Sequence, residues 1–445
     1  MKAGCSAVGL SVISAIAGSG CTDARAFTDE QRAVLAQFRL PAGPPPDPSN
    51  AFSDDVRAAV LGKQWFFDPR LSGPLAPGND GVTNGSLGVA GETGRVACAS
   101  CHDPANGGSD HRSRPPQTSL GAGYSGRNAQ TVLNAAYVDL DQGGWQTWDG
   151  SGDSVWGGNL LPLEKPTSNN ATRLQLAHVV FDHYRAGYEA VFGPLPDLSN
   201  TARFPPTGKP GVPAFDAMAP ADQDAINRVF ANIGKALAAY ERRLVSNAFQ
   251  PSAFDRMLAG DDTAMTDAAI RGARLYIGKA ACDECHRGPM FADQKFHNIG
   301  VPQTGEHAFE TDLGRYQGIP TVKGSLFNRA GAFSDAFDDS QLRDLAARPA
   351  DIGAFRTPTL RNVAKTGPYM HDGVYATLGE VIDHYNRGGG MGDFSGTQEV
   401  TISPLLLDGQ ETSDLEEFLR SLADGDPLPT PDFPEGLAAL PPLPN

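Results

Sequence analysis

Apolar residues recur every three or four positions along several stretches of this chain and alternate along few, so the pattern predicts a mainly α fold. The clearest case is Asp222 to Leu244, where Ile226, Val229, Phe230, Ile233, Leu237, Tyr240 and Leu244 share one stripe. Further helices are predicted over Thr28 to Leu40, Val56 to Phe67, Thr131 to Tyr137 and Leu174 to Phe192. Thr28 with Gln31 reads as a capping box, and Asp68-Pro69 as a stop. Thr266 caps a helix through Ile270, Ala273 and Ile277. Thr377-Leu378-Gly379-Glu380 opens another, with Leu378, Val381, Ile382 and Tyr385 on its buried face. His384 lies about 100° around that helix and is expected to be exposed. A last helix is expected to open at Ser413-Asp414-Leu415-Glu416 and to end at Gly425.

The segments between these helices are long and rich in turn formers, in keeping with 51 Gly and 35 Pro in 445 residues. One of them, Gly121 to Gly126, matches G-x-G-x-x-G, but no strand precedes it, so the nucleotide reading fails its context. Length permits two or three domains. The divisions expected are an export signal at 1–26, domains at 27–248 and 249–428, and a Pro-rich tail at 429–445, with Phe249 to Asp262 as the connection. A net charge of −16 argues against a nucleic-acid partner.

The first residues read as a leader: Lys2, the apolar run Val8 to Ala17, then small residues, with Ala24-Arg25-Ala26 as a cleavage site. This predicts an exported, periplasmic protein. A lipid anchor at Cys21 is the less favoured alternative, because Gly18-Ser19-Gly20 lacks the large apolar residue expected before such a cysteine. No later run is long enough to span a bilayer.

Cysteine placement changes the picture most. Of six cysteines, two (Cys5 and Cys21) lie in the leader. The other four form Cys98-Ala99-Ser100-Cys101-His102 and Cys282-Asp283-Glu284-Cys285-His286. Each is C-x-x-C-H, the attachment pattern of a c-type haem: two thiols reach the two vinyl groups of one macrocycle, and the next residue is held beneath the iron. Half a zinc site or a redox disulfide are the alternatives for an isolated C-x-x-C. Two copies a domain's length apart point to two covalently bound c-type haems. The helix from Thr266 into the second copy is the cytochrome c arrangement.

Longer motifs then resemble a known family, the bacterial di-haem cytochrome c peroxidases and their MauG-like relatives. The residues are Gly62-Lys63-Gln64-Trp65-Phe66-Phe67-Asp68-Pro69-Arg70-Leu71-Ser72, then Thr147-Trp148-Asp149-Gly150, then Phe355 to Val363 and Thr366 to Gly373. The resemblance covers about Val56 to Leu422. It implies two cytochrome c-like haem domains facing each other across Trp148 and a calcium ion. The N-terminal haem, on Cys98, Cys101 and His102, would react with hydrogen peroxide. The C-terminal haem, on Cys282, Cys285 and His286, would store or relay oxidising equivalents. Glu164 matches the distal acid, which would move a proton between peroxide oxygens. Trp148 matches the electron relay. The calcium site maps to Asn128, Thr366 and Pro368, oxygen donors suited to that ion.

Two departures separate subfamilies. In the peroxidases a histidine caps the first iron; the matching residue here is Ala122, which cannot ligate, so the resemblance implies a first haem open on its distal side, with His111 as the less favoured substitute from nearby. The peroxidases place a methionine on the second iron; the matching residue here is Tyr385, with Met370 as a competing ligand. A phenolate stabilises the higher iron states that a methionine disfavours. The pattern resembles the MauG-like enzymes and MbnH, and implies two iron(IV) centres that oxidise an aromatic residue, a tryptophan, on a partner protein. The alternative is a di-haem peroxidase drawing electrons from a small cytochrome c or cupredoxin.

Overall fold

The computed structural model describes residues 26–115, 118–138, 143–246, 250–390 and 392–425. The expected export signal at 1–26, apart from Ala26, and the expected tail at 429–445 lie outside the described residues. Helices carry the fold: α1 Asp29–Ala36, α2 Val56–Phe67, α3 Cys98–Cys101, α4 Val155–Leu160, α5 Arg173–Phe192, α6 Pro213–Asp216 and α7 Pro220–Glu241 in the first part of the chain. They continue as α8 Ala253–Leu258, α9 Asp267–Tyr276, α10 Arg315–Gly324, α11 Leu378–Asn386 and α12 Gly409–Arg420. The sheet is a two-residue antiparallel pair, β1 Phe296–His297 on β2 Phe355–Arg356, with Phe296 opposite Arg356.

Two helix crossings organise the interior, and they are built alike. In α2, Gly62 lies so close to α7 that an added Cβ would sit 1.9 Å from the Ala236 carbonyl oxygen; four residues on, Phe66 packs edge-on to Tyr240. In α9, Gly272 approaches α12 so closely that a Cβ would sit 1.9 Å from the Asp414 carbonyl oxygen; four residues on, Tyr276 packs on Phe418. Glycine permits the backbone approach, and the aromatic one turn later fills the space beyond it. Each crossing nucleates a separate apolar cluster, one around Trp65, Trp156 and Ile233, the other around Phe254, Phe291 and Phe418. Each crossing also precedes or abuts a C-x-x-C-H: Cys98 packs against the first cluster and Cys282 against the second.

The apolar stripe on α7 is buried at every expected position. The capping boxes at Thr28 and Thr377 form as expected. Several expectations are corrected. Thr131 to Tyr137 is a turn, because Asn134 takes φ +62° and is tied by its N–H to the Leu244 carbonyl and by its side chain to Ser246. The expected connection Phe249 to Asp262 contains α8, whose Phe254 is in the second cluster. The last helix starts at Gly409, because Asp408 and Glu411 make the capping box, and it ends at Arg420. Segment 27–38, grouped by sequence with the first domain, packs in the second cluster through Phe27, Leu35 and Phe38, while Phe327 and Phe333 pack in the first. Chain order and packing therefore cross between the two halves. No helix among the described residues is long and apolar enough to cross a membrane.

Candidate haem and peroxide site

One continuous cavity of about 1030 Å³ contains both C-x-x-C-H motifs on its walls. The four thiols are unbonded to one another and line it. Burial raises the Cys98, Cys101 and Cys282 thiols to about 12 and Cys285 to about 11, so each stands as a neutral thiol. Among the described residues no cluster of three His, Cys, Asp or Glu side chains is arranged to hold a metal, so the zinc reading of either motif has no further ligands.

Both motif histidines are held the same way. His102 Nδ1 lies 2.7 Å from the Gln130 carbonyl oxygen, and His286 Nδ1 lies 2.8 Å from that of Phe291. A carbonyl only accepts, so each Nδ1 carries the hydrogen and each Nε2 is left as a lone-pair donor. Burial lowers both pKa values, which favours the neutral, ligating form. Paired thiols, an oriented imidazole and an apolar cavity at each motif fit a c-type haem.

Between the motifs, Trp148 lines the cavity and donates Nε1–H to the Asn128 carbonyl at 2.8 Å. Its own carbonyl accepts the Arg356 N–H at 2.8 Å, which docks it on β2. Across from it stands His371, fully buried, stacked on Phe355 at 3.6 Å, its Nε2 without a hydrogen-bond partner. Asn128 belongs to the same knot: its N–H reaches the His371 carbonyl at 2.7 Å and its Nδ2 the Pro368 carbonyl at 2.6 Å. Its Oδ1 is buried with no partner. An orphaned amide oxygen beside the Pro368 carbonyl, with Thr366 also on the cavity wall, fits an oxygen-seeking cation such as calcium.

At the second motif, α11 turns Leu378, Val381, Ile382 and Tyr385 into the cavity. Burial, with the Cys282 and Cys285 sulfurs next in effect, raises the Tyr385 pKa well above the ordinary phenol value. Met370, the competing ligand, lines the same cavity in a left-handed turn. His384 corrects the sequence expectation: it is fully buried, with Nε2 3.0 Å from the Ile299 carbonyl and Nδ1 3.0 Å from the Tyr375 hydroxyl. Those two partners draw the ring inward.

At the first motif, Ala122 is fully buried among Leu75 and Val96, and its neighbours Ser119 and Gly121 form the wall. His111 is exposed, bonded to the Asn106 carbonyl, and is not on that wall. Glu164 is also off the wall. Its carboxylate is closed by Arg173, with Oε1 accepting the backbone N–H at 2.8 Å and Nε at 3.1 Å, and Oε2 accepting an Nη at 2.7 Å. The sequence signal for that pairing was Arg173 itself, the first residue of α5.

Sequence reading missed several cavity residues. Arg127 bridges Asp149 and Asp312 at 2.6–2.7 Å. The Arg356 guanidinium, lowered by burial to about 10, donates only to the Thr147 carbonyl among the described groups and would be free to pair with a haem propionate. Glu241, on α7 beside Cys98, is 4 % exposed and pushed up to about 8 by burial. Each is a charged residue on an otherwise apolar element or a short loop, a signal that composition alone does not resolve.

A fold with a C-x-x-C-H packed beside each of two glycine-crossed helix pairs, both opening into one cavity, defines a di-haem c-type redox protein. A family profile described as di-haem cytochrome c peroxidase matches residues 57–263. Cytochrome-c peroxidase IdrP1 of Denitromonas iodatirespirans is 34% identical over 401 residues, covering 87% of this chain and 86% of that protein. Methylamine utilization protein MauG of Methylorubrum extorquens is 29% identical over 415 residues, covering 93% and 91%. A crystal structure of a MauG-like protein associated with microbial copper homeostasis is 26% identical, with a TM-score of 0.58 over 90% of this chain and 98% of that one. The diheme peroxidase BthA from Burkholderia thailandensis shares the fold at 21% identity, with a TM-score of 0.61 over 91% and 99%. The chain belongs to the di-haem cytochrome c peroxidase/MauG family of oxidoreductases.

Proposed function

We propose that this chain is an exported di-haem enzyme that uses hydrogen peroxide to oxidise an aromatic residue, a tryptophan, on a partner protein. The observation that carries the reading is Tyr385 on the cavity wall at the second motif, combined with Ala122 packed away from the first. Bound haem supplies the redox chemistry, taking oxidising equivalents from peroxide. The chain's own residues do the rest. Cys98, Cys101, Cys282 and Cys285 tether the macrocycles, and His102 and His286 present Nε2 to the irons in one orientation each. Tyr385 would supply an oxygen ligand to the second iron. Asn128 Oδ1 and the Thr366 and Pro368 carbonyls would hold calcium. Trp148, with its N–H fixed on Asn128, passes charge between the two sites. Glu164 takes no part in moving peroxide protons in this arrangement, because Arg173 occupies both its oxygens.

A second reading keeps the same site but feeds it electrons from a small cytochrome c or cupredoxin. Met370 on the same cavity wall favours it, because sulfur ligation would suit a reductive cycle. Electron paramagnetic resonance of the resting ferric holoenzyme tests the first reading. It expects one high-spin haem and one low-spin haem with an oxygen ligand. Two low-spin haems, or fast peroxide-dependent turnover of reduced cytochrome c with a methionine-type spectrum, would overturn it.

A further inference from the structure

The wall beside the first motif is the loop joining α4 to α5. The Ala122 N–H bonds the Ser168 carbonyl at 2.6 Å, Gly123 bonds that of Thr167 at 3.1 Å, and the Asn169 side chain reaches the Val96 carbonyl, two residues before Cys98. With Glu164 turned onto Arg173, the ionisable side chain that this loop offers to the cavity is Lys165.

Lys165 makes no ion pair among the described residues. The charges facing it are Arg127, Asp149 and Asp312, and Arg127 already closes both carboxylates on itself. Lys165 lines the cavity and is exposed, yet enough protein surrounds it that burial, followed by Arg127, lowers its pKa. Two residues on, Thr167 also lines the cavity, and its hydroxyl oxygen is buried with no hydrogen-bond partner. An unpaired ammonium and an unbonded hydroxyl on one wall, with no carboxylate of that loop facing them, suit a small anion.

We propose that Lys165, with the Thr167 hydroxyl, holds a small anion on the open face of the first haem, hydroperoxide being the member of that class the enzyme would use. The inference rests on the proposed open coordination position at the first iron. The ammonium stabilises the anion by charge and the hydroxyl donates a hydrogen bond to it.

The test is equilibrium ligand binding to ferric holoenzyme at pH 7, followed in the Soret band, with sodium azide and sodium fluoride as anions and imidazole as the neutral control. K165M is expected to weaken both anions tenfold or more while imidazole stays within twofold. K165R retains most of the anion affinity, and T167V loses a smaller share, about threefold. Unchanged anion affinity in K165M overturns the proposal, as does an equal loss for imidazole, which would mark Lys165 as structural. Failure of the wild type to bind imidazole as well as the anions overturns the open position, and the anion site with it.

Discussion

An imidazole whose Nδ1 hydrogen is held by a backbone carbonyl presents its other nitrogen in one direction only, and both motif histidines are so held. At this scale the decisive residue is Tyr385. On the proposed ligation, methionine would exchange a hard oxygen for a soft thioether, so Tyr385→Met is expected to raise the potential of the second haem by more than about 0.1 V within the ~0.8 V span that axial ligands set. Spectroelectrochemistry reads this, and an unshifted potential would exclude Tyr385 as the ligand. Glu241 sets a pH dependence. Its carboxyl keeps a proton to about pH 8 in the folded chain, against 4.5 as its ordinary value. Between these values the folded state holds more protons than the unfolded one, so stability is full below pH 4.5 and falls as pH rises towards 8. Glu241→Gln is expected to flatten that fall, by up to about 1.4 kcal/mol per pH unit, in denaturant titrations across the window. The residue scale was only partly legible in sequence. Cys98, His102, Cys282 and His286 announce themselves because thioether chemistry demands adjacency. Glu164 did not, because whether a carboxylate faces a cavity or an arginine depends on Arg173, nine positions away along the chain.

Among elements, the two glycine crossings repeat one device: a glycine in contact with a partner backbone and an aromatic one turn on. Gly62→Ala and Gly272→Ala would each drive a Cβ into a carbonyl oxygen at 1.9 Å. The gain in helix propensity, about 1 kcal/mol, is outweighed by overpacking that cannot relax against backbone. Each variant is expected to lose about 1–3 kcal/mol in chemical denaturation. A neutral or stabilised Gly62→Ala would mean that α2 and α7 are not clamped at that point. The helices themselves were legible because burial imposes the 3.6-residue period, most cleanly on α7. Element ends were less so. Asp408 outcompetes Ser413 as the cap of α12 because its carboxylate accepts the Gln410 and Glu411 N–H groups, with Glu411 returning the bond.

For the whole molecule, the cavity is the organising volume. Leu378, Ile382, Leu415 and Leu419 belong both to its wall and to the second apolar cluster, so a haem bound at the second motif would be part of that core. Removing the second anchor with Cys282→Ala and Cys285→Ala is expected to lower the thermal midpoint by about 5 °C or more, because a group bound only by the folded state stabilises it. Calorimetry of the holoprotein and the variant checks this. An unchanged midpoint would mean that the haem is a guest and not a structural part.

What the sequence determined alone is whatever is local or covalent: the two C-x-x-C-H anchors, the helical periods, the caps at Thr28 and Thr377, and the family motifs that run continuously along the chain. Tertiary structure decided what depends on distant partners. It turned His384 inward onto Ile299 and Tyr375, made a turn of 131–137 by tying Asn134 to Leu244 and Ser246, and carried α1 across to the second cluster. It also took Glu164 from the cavity and left Lys165 there. The reason is common to all four: periodicity reports that a side chain is buried, while the group it meets there is supplied by a segment tens or hundreds of residues away, or, for Glu164, by the turn into the next helix.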